Sequence, residues 1–232
     1  RFSNWDGRLN TGSPEAAIYE AFIHFLIVRL LKPFLGDLTE YYMGKGLTPV
    51  IKVSSMLGDH SRKWLLSILK DPTSSWWTCQ EGISREDHLT AALLETVEYL
   101  KTTCGPDMKE WQWGKIHRIT FSHSLGSVKP LDKLLNRGSF PLGGDVDTIW
   151  MGHAGMYQIG GDSIVGPQFR FVGDLSNWNN CRGVIVPGQS GHPASKHYDD
   201  GIKPWFTGHY HPMLFDRAEV LKVVDARLLL VP

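Results

Sequence analysis

The sequence predicts an α+β fold in which helices come first and an antiparallel strand meander follows. Three observations carry that expectation. A Ser-Pro-Glu start opens a long apolar run, a second segment repeats leucine and valine at helical spacing, and from Asp147 onward short runs rich in β-branched and aromatic residues take over. Elements segregated in this way favour α+β layer packing over alternating strand–helix–strand units. Residues 1–140 are expected to be mainly helical and 141–232 mainly strands and loops, within one segment spanning 1–232.

Ser13-Pro14-Glu15 starts the first helix, because Ser caps free amides and Pro at the first helical position lacks the donor that would go unbonded there. The apolar run that follows to Leu35 is long enough to raise a membrane span, but Glu20, His24, Arg29 and Lys32 interrupt it. Each charge at mid-bilayer costs roughly 2.5–3.5 kcal/mol, so a helix buried in a large fold is expected and no membrane partner. A second helix runs from Glu86 to about Thr103, with Leu89, Leu93, Val97 and Leu100 as its apolar stripe, Ser84 as cap and Gly105-Pro106 as stop. A short helix is read from Val128 to Asn136, closed by Gly138. Residues 147–152, 168–174 and 182–187 read as three strands separated by Gly, Asn and Pro clusters. Asp216 with Glu219 opens a helix over 217–224, and 227–231 reads as a terminal strand.

The 24 basic and 24 acidic residues cancel to zero, which argues against a nucleic-acid partner bound over a basic face. With 42% hydrophobic and 21% charged residues the chain is globular, which excludes disordered and fibrous classes. Cys79, Cys104 and Cys181 are too sparse for a disulfide scaffold and lack zinc-site spacing; a Cys79–Cys104 bridge is left open. The first residue is Arg1, with no signal-type segment after it, and the expectation is a processed piece of something longer.

Several motifs carry two readings. His209 and His211, two apart, would face one side of a strand and could bind a metal with His197 and Asp199; Gly208 and Pro212 instead suggest a loop whose histidines lie at the surface or pack on Trp205. Gly143-Gly144-Asp145-Val146-Asp147 resembles part of a calcium loop, yet the acid alternation stops after two residues, and a glycine turn with Asp bonding nearby amides explains it better. Gly188-Gln189-Ser190-Gly191 is one residue short of a nucleophile elbow, and His192-Pro193 blocks the helix such an elbow enters. Trp76-Trp77 and Trp111-x-Trp113 are expected to be buried loop anchors rather than a stacking surface.

Eight segments in register change the weighing. They are Trp5-Asp6-Gly7-Arg8, Ser13 to Tyr19, Trp111-x-Trp113-Gly114-x-x-His117, Phe121-x-His123-x-Leu125-Gly126, Gly143-Gly144-Asp145-x-Asp147-Thr148, Arg170-Phe171-Val172-x-Asp174-Leu175, Pro187 to Pro193 and His197-Tyr198-Asp199-Asp200. Together they resemble the C-terminal part of the β subunit of the penicillin acylase (penicillin amidase) family of N-terminal nucleophile hydrolases, from about Trp5 to Pro232. The resemblance implies part of an αββα sandwich and a precursor that cuts itself into α and β chains. It implies a β-chain N-terminal serine as nucleophile, its own α-amino group as base, and an asparagine with backbone amides holding the oxyanion.

Ser3-Asn4-Trp5 mimics the start of such a β chain, but Trp5-Asp6-Gly7 matches a motif lying far into it, so Ser3 is not read as the nucleophile. By the resemblance, the nucleophile, the oxyanion asparagine and the calcium-binding acids lie upstream of Trp5, leaving no cofactor in this segment. Asp174 falls in the column of a carboxylate that, in the cephalosporin-acylase branch, supports a histidine near the nucleophile; the competing reading is a strand-end Asp bonding amides around residues 175–177. The turn Gly188, Gln189, Ser190, Gly191, His192 and the 197–200 segment are read as structural. The implied partners are the α subunit, the upstream part of the β subunit and a small N-acyl amide, in a periplasmic or secreted enzyme. Two other readings stand beside this one: an inactive structural or binding module of the same fold, and a metal-dependent hydrolase on His197, Asp199, His209 and His211.

Overall fold

A computed structural model describes residues 4–46, 58–163 and 166–228, excepting the side chains of 58–60. In chain order the helices are α1 (Pro14–Leu35), α2 (Thr39–Tyr42), α3 (Gly58–Lys70), α4 (Arg85–Cys104), α5 (Trp113–Ile116), α6 (Leu131–Leu135), α7 (Ile202–Thr207) and α8 (Arg217–Val223). The strands are β1 (His117–Phe121), β2 (Arg137–Pro141), β3 (Gly161–Ser163), β4 (Phe169–Val172), β5 (Arg182–Ile185) and β6 (His211–Pro212). The chain forms two compact units, Arg1–Phe121 with Gly138–Gly166, and Ser122–Arg137 with Pro167–Pro232.

In the first unit α1 begins where expected. Ser13 Oγ accepts the Ala16 amide at 3.1 Å, and Gly36 at φ 51° ends the helix by donating its N–H to Lys32 O. α4 opens with a reciprocal cap, Asp87 N–H to Ser84 Oγ at 3.1 Å and Ser84 N–H to the Asp87 carboxylate at 2.9 Å. α1 packs along α4. The buried row of α4 is His88, Ala92, Thr96 and Leu100, whereas Leu93, expected in the stripe, is exposed. Small residues in that row let the two helices approach, and Thr96 satisfies its hydroxyl on Ala92 O at 2.8 Å. Leu26, Ile27, Leu30, Met43 and Leu65 fill the core beside them, each worth about 1.5–3 kcal/mol of burial.

The first unit also carries a sheet of order β2-β1-β3, with β1 and β3 parallel and His117 opposite Gly161. The expected strand over 147–152 does not form. Thr148 Oγ1 accepts the Asp145 amide at 2.8 Å and donates to Trp150 O at 2.8 Å, curling the segment, and Ile149 is left in solvent. In the second unit β4, β5 and β6 form an antiparallel sheet in that order, pairing Phe171 with Gly183 and Gly183 with His211. The helix expected over 128–136 is shorter: a 3-10 turn at Ser124–Ser127 precedes α6, and Asn136 closes onto that turn through its side chain, donating to Gly126 O at 3.1 Å. The expected terminal strand fails at 227–228, which lack regular structure; its remainder lies outside the described residues, as does Ser3.

Cys79, Cys104 and Cys181 are free thiols, so the possible Cys79–Cys104 bridge is absent. The reason is helical: Cys79 Sγ lies 3.8 Å from His88 Nε2. Cys104 follows His88 along α4 by 104 − 88 = 16 residues, about 24 Å, far beyond disulfide reach.

Candidate functional site

A helix whose face is otherwise apolar must account for each charge it buries. Glu20 on α1 does so with Arg62 of α3, which donates Nη1 to Oε1 at 3.1 Å and Nη2 to Oε2 at 2.5 Å. The same guanidinium donates to the buried carboxylate of Asp145 and lies 3.5 Å from Asp147 through Nε. Asp145 is aimed by its own turn. Gly144 holds φ at 74°, where a Cβ would stand 1.9 Å from Trp150 O, and the Asp147 amide donates to Asp145 Oδ1 at 2.9 Å. The sequence reading of 143–147 as a glycine turn therefore agrees with the geometry, but it missed the partner. An unmatched Glu in a buried helix was the available signal; its arginine is 42 residues away.

Histidines complete the surroundings. His24 Nδ1 donates to Met156 O at 2.9 Å, and His117 Nδ1 donates to Leu142 O at 2.9 Å while stacking on Trp113, 4.6 Å between centroids. Trp113 in turn donates to Gly144 O at 3.0 Å. Glu20, Arg62, Asp145, His24, His117 and His153 line a cavity of about 40 Å³. That holds roughly two or three waters and falls well below the ~300 Å³ of the smallest ligand pockets, so no acyl substrate fits. Burial, and then the neighbouring Asp145 charge, push the Glu20 carboxyl up to about 7 against the pull of Arg62. Burial lowers His24 and His117, keeping them neutral. The arrangement sets one guanidinium against two buried carboxylates and the half-exposed Asp147, with an exchangeable proton on Glu20; the described lining residues include no serine, threonine or cysteine.

The second unit holds the residues singled out in the sequence. Asp174 is half-buried and caps the turn after β4: Oδ1 accepts the Ser176 amide at 2.9 Å, its hydroxyl at 2.6 Å and the Asn177 amide at 3.3 Å, and Oδ2 accepts Asn180 Nδ2 at 2.9 Å. The Ser176 and Asn180 side-chain bonds, with help from the Ser176 amide, hold its carboxyl down to about 2. In the turn, the Ser190 amide donates to His197 O at 2.9 Å and Ser190 Oγ accepts the His192 amide at 3.1 Å. A Cβ on Gly188 would stand 2.3 Å from His197 O. The turn and the 197–200 segment are thus laced together by main-chain bonds.

The proposed metal set is not brought together. His197 Nδ1 pairs with Asp200 at 2.7 Å, Asp199 with Arg137 at 2.5 Å, and His209 Nδ1 with Thr207 Oγ1 at 2.8 Å, while His211 sits in β6. Among the described residues no three His, Cys, Asp or Glu side chains are grouped to hold a metal ion.

The architecture matches a solved structure, thermostable penicillin G acylase from Alcaligenes faecalis, with a TM-score of 0.51 at 17% identity, over 98% of this chain and 41% of that one. The chain therefore has an α+β fold shared with part of that acylase chain. More narrowly, the penicillin amidase family model matches residues 1–222, and the chain belongs to that family. Among curated relatives, the acyl-homoserine lactone acylase QuiP of Pseudomonas aeruginosa is 29% identical over 100% of this chain and 28% of its own length. Penicillin acylase 2 proenzyme of Pseudomonas sp. strain SE83 is 33% identical over 91% of the chain and 25% of its own. The chain thus spans about a quarter of the length of these relatives.

Proposed function

We propose that these 232 residues are the C-terminal β-subunit portion of an amide hydrolase whose nucleophilic serine lies elsewhere in the polypeptide. The observation that carries the reading is the family match across residues 1–222, together with relatives named as acylases that are almost four times as long. In the assembled enzyme the serine hydroxyl attacks the amide carbonyl, its proton passes to the free α-amino group, the amine leaves, and water hydrolyses the acyl ester. Asp174 enters as a supporting carboxylate through Oδ2, which carries a single hydrogen bond, from Asn180. Calcium is assigned upstream, because the buried carboxylates among the described residues, Glu20 and Asp145, are already held by Arg62. The enzyme is placed in the periplasm or outside the cell, with the α subunit and the upstream β segment as partners and N-acyl amides or acyl-homoserine lactones as substrates.

The test compares a chromogenic phenylacetyl anilide and an acyl-homoserine lactone as substrates for residues 1–232 alone and for the longest polypeptide the gene encodes. Hydrolysis is expected only from the latter, after cleavage exposing an N-terminal serine. Turnover by the isolated chain would overturn the reading; a processed but inert full-length protein would favour the non-catalytic module.

A further inference from the structure

Among the described side chains, the N-terminal part of α3 is fastened by polar contacts. Ser61 Oγ donates to Met156 Sδ at 3.2 Å, a weak acceptor, and Arg62 holds Glu20 of α1 and Asp145 of the 143–147 turn. The apolar anchors of the helix, Leu65 and Ile68, follow at the next two turns. The guanidinium serves more negative charge than it carries. Arg62 Nη1 donates both to Glu20 Oε1, at 3.1 Å, and to Asp145 Oδ2, so two buried carboxylates crowd a single nitrogen. Asp147, half-exposed, adds a third at 3.5 Å from Nε. Like charges that share one cation away from water are relieved by a proton on one of them.

The other titratable groups around Glu20 have their own partners or surroundings. On α1, the Tyr19 ring centroid lies 5.9 Å from the Arg62 guanidinium carbon, and His24 is bonded to Met156 O. His117 of β1 is bonded to Leu142 O, and His153 lines the same small cavity. α5 turns Lys115 outward onto Glu110. On α4, His88 contacts Cys79, and Glu95 pairs with Arg29, which lies 29 − 20 = 9 residues, about 14 Å, farther along α1 than Glu20.

We propose that Glu20, Arg62 and Asp145 form a proton-controlled clasp: with one proton shared between the carboxylates it fastens α3 to α1 and the 143–147 turn, and when that proton leaves, the start of α3 opens. The cavity of about 40 Å³ beside the cluster is the way in for water. Losing the proton leaves two buried anions facing one cation, and lifting Arg62 away lets water solvate both acids. The N-terminal part of α3 yields first, because its described contacts are polar ones that water can replace, whereas Leu65 and Ile68 keep the rest of the helix seated. His24 and His117 stay neutral through the change, since their main-chain bonds do not involve α3.

Amide hydrogen exchange of the longest polypeptide the gene encodes tests the clasp, with each rate divided by the intrinsic rate of the unfolded peptide at the same pH. Glu20 holds its proton up to about 7 when the clasp is closed and to the ordinary 4.5 when it is open. Linkage of one proton then raises the opening of amides 62–66 about 20-fold between pH 5.5 and pH 7.5, with a plateau above. Amides of α4, in the same compact unit, should stay within about twofold. A flat response in α3, or α3 and α4 rising in step, would overturn the proposal, the latter because the whole unit would be unfolding. Glu20→Gln and Asp145→Asn, which each leave one carboxylate on Arg62, should both abolish the rise. A rise that survives in either variant would refute the shared proton, and if one variant fails to fold the other still decides. No step of catalysis is read, so the outcome stands apart from the hydrolase reading.

Discussion

Arg62 grips Glu20 with two parallel hydrogen bonds, at 3.1 and 2.5 Å, and ties α3 to the N-terminal third of α1. A planar fork of this kind fixes geometry that a lysine could not. It also makes the pair asymmetric to mutation, because removing the cation strands two buried carboxylates.

Arg62→Met is therefore expected to destabilise the protein by about 3–5 kcal/mol, with Glu20 and Asp145 left unpaired. Urea unfolding of the wild type and variant measures the difference. A loss below ~1 kcal/mol would show that water reaches the cluster and replaces the guanidinium.

Glu20 sets a pH dependence whose sign follows from its raised folded pKa. The folded state keeps a proton between the ordinary carboxyl value of 4.5 and about 7, where the unfolded chain has released it. Stability from this group is thus fully present below pH 4.5 and is lost as pH rises through about 7. His24 and His117 act oppositely below their ordinary 6.5, since burial disfavours their charged forms. The difference between wild type and Glu20→Gln isolates the carboxyl: it should decline from pH 5 to pH 8, and a flat difference would refute the buried proton.

Asp174 has a structural readout and a functional one. Its carboxyl is held near 2 by Ser176 and Asn180, so its stabilisation of the turn is present above the ordinary value of 3.8 and fades as pH falls through about 2. Asp174→Asn in the full-length enzyme is expected to lower kcat/KM and shift its pH profile, as a supporting carboxylate would. An unchanged profile would confine Asp174 to its turn.

The cysteines give a simple check. Thiol titration of the unfolded chain should count Cys79, Cys104 and Cys181 as three free groups, and reducing agent should leave Tm unchanged. A lower Tm in reductant would reveal a bridge that the span of α4 forbids.

Both long helices of the first unit were legible in the sequence because their signals are local: Ser13-Pro14 and Ser84 cap them, and glycines end them. α4 nevertheless faces inward through His88, Ala92 and Thr96, since close packing on α1 rewards small side chains more than a leucine stripe. Nothing local announces β3, whose Gly-Asp-Ser sequence is a strand only through its pairing with β1, 44 residues earlier. Residues 147–152 carry strand-like composition and were misread because one hydroxyl, that of Thr148, outcompetes the ladder. The buried cluster was half legible: Asp145 stood out by its glycines, while Arg62 became visible only once three distant segments met.

The two units are interleaved along the chain rather than arranged in series, since Ser122–Arg137 belongs with Pro167–Pro232 while Gly138–Gly166 returns to the unit begun at the N-terminal end. Tyr198 anchors that excursion by donating its hydroxyl to Leu135 O at 2.5 Å. No single backbone cut can release either unit whole. A terminal deletion that removes all of one unit therefore also removes part of the other, and neither can be transplanted as one continuous stretch of sequence.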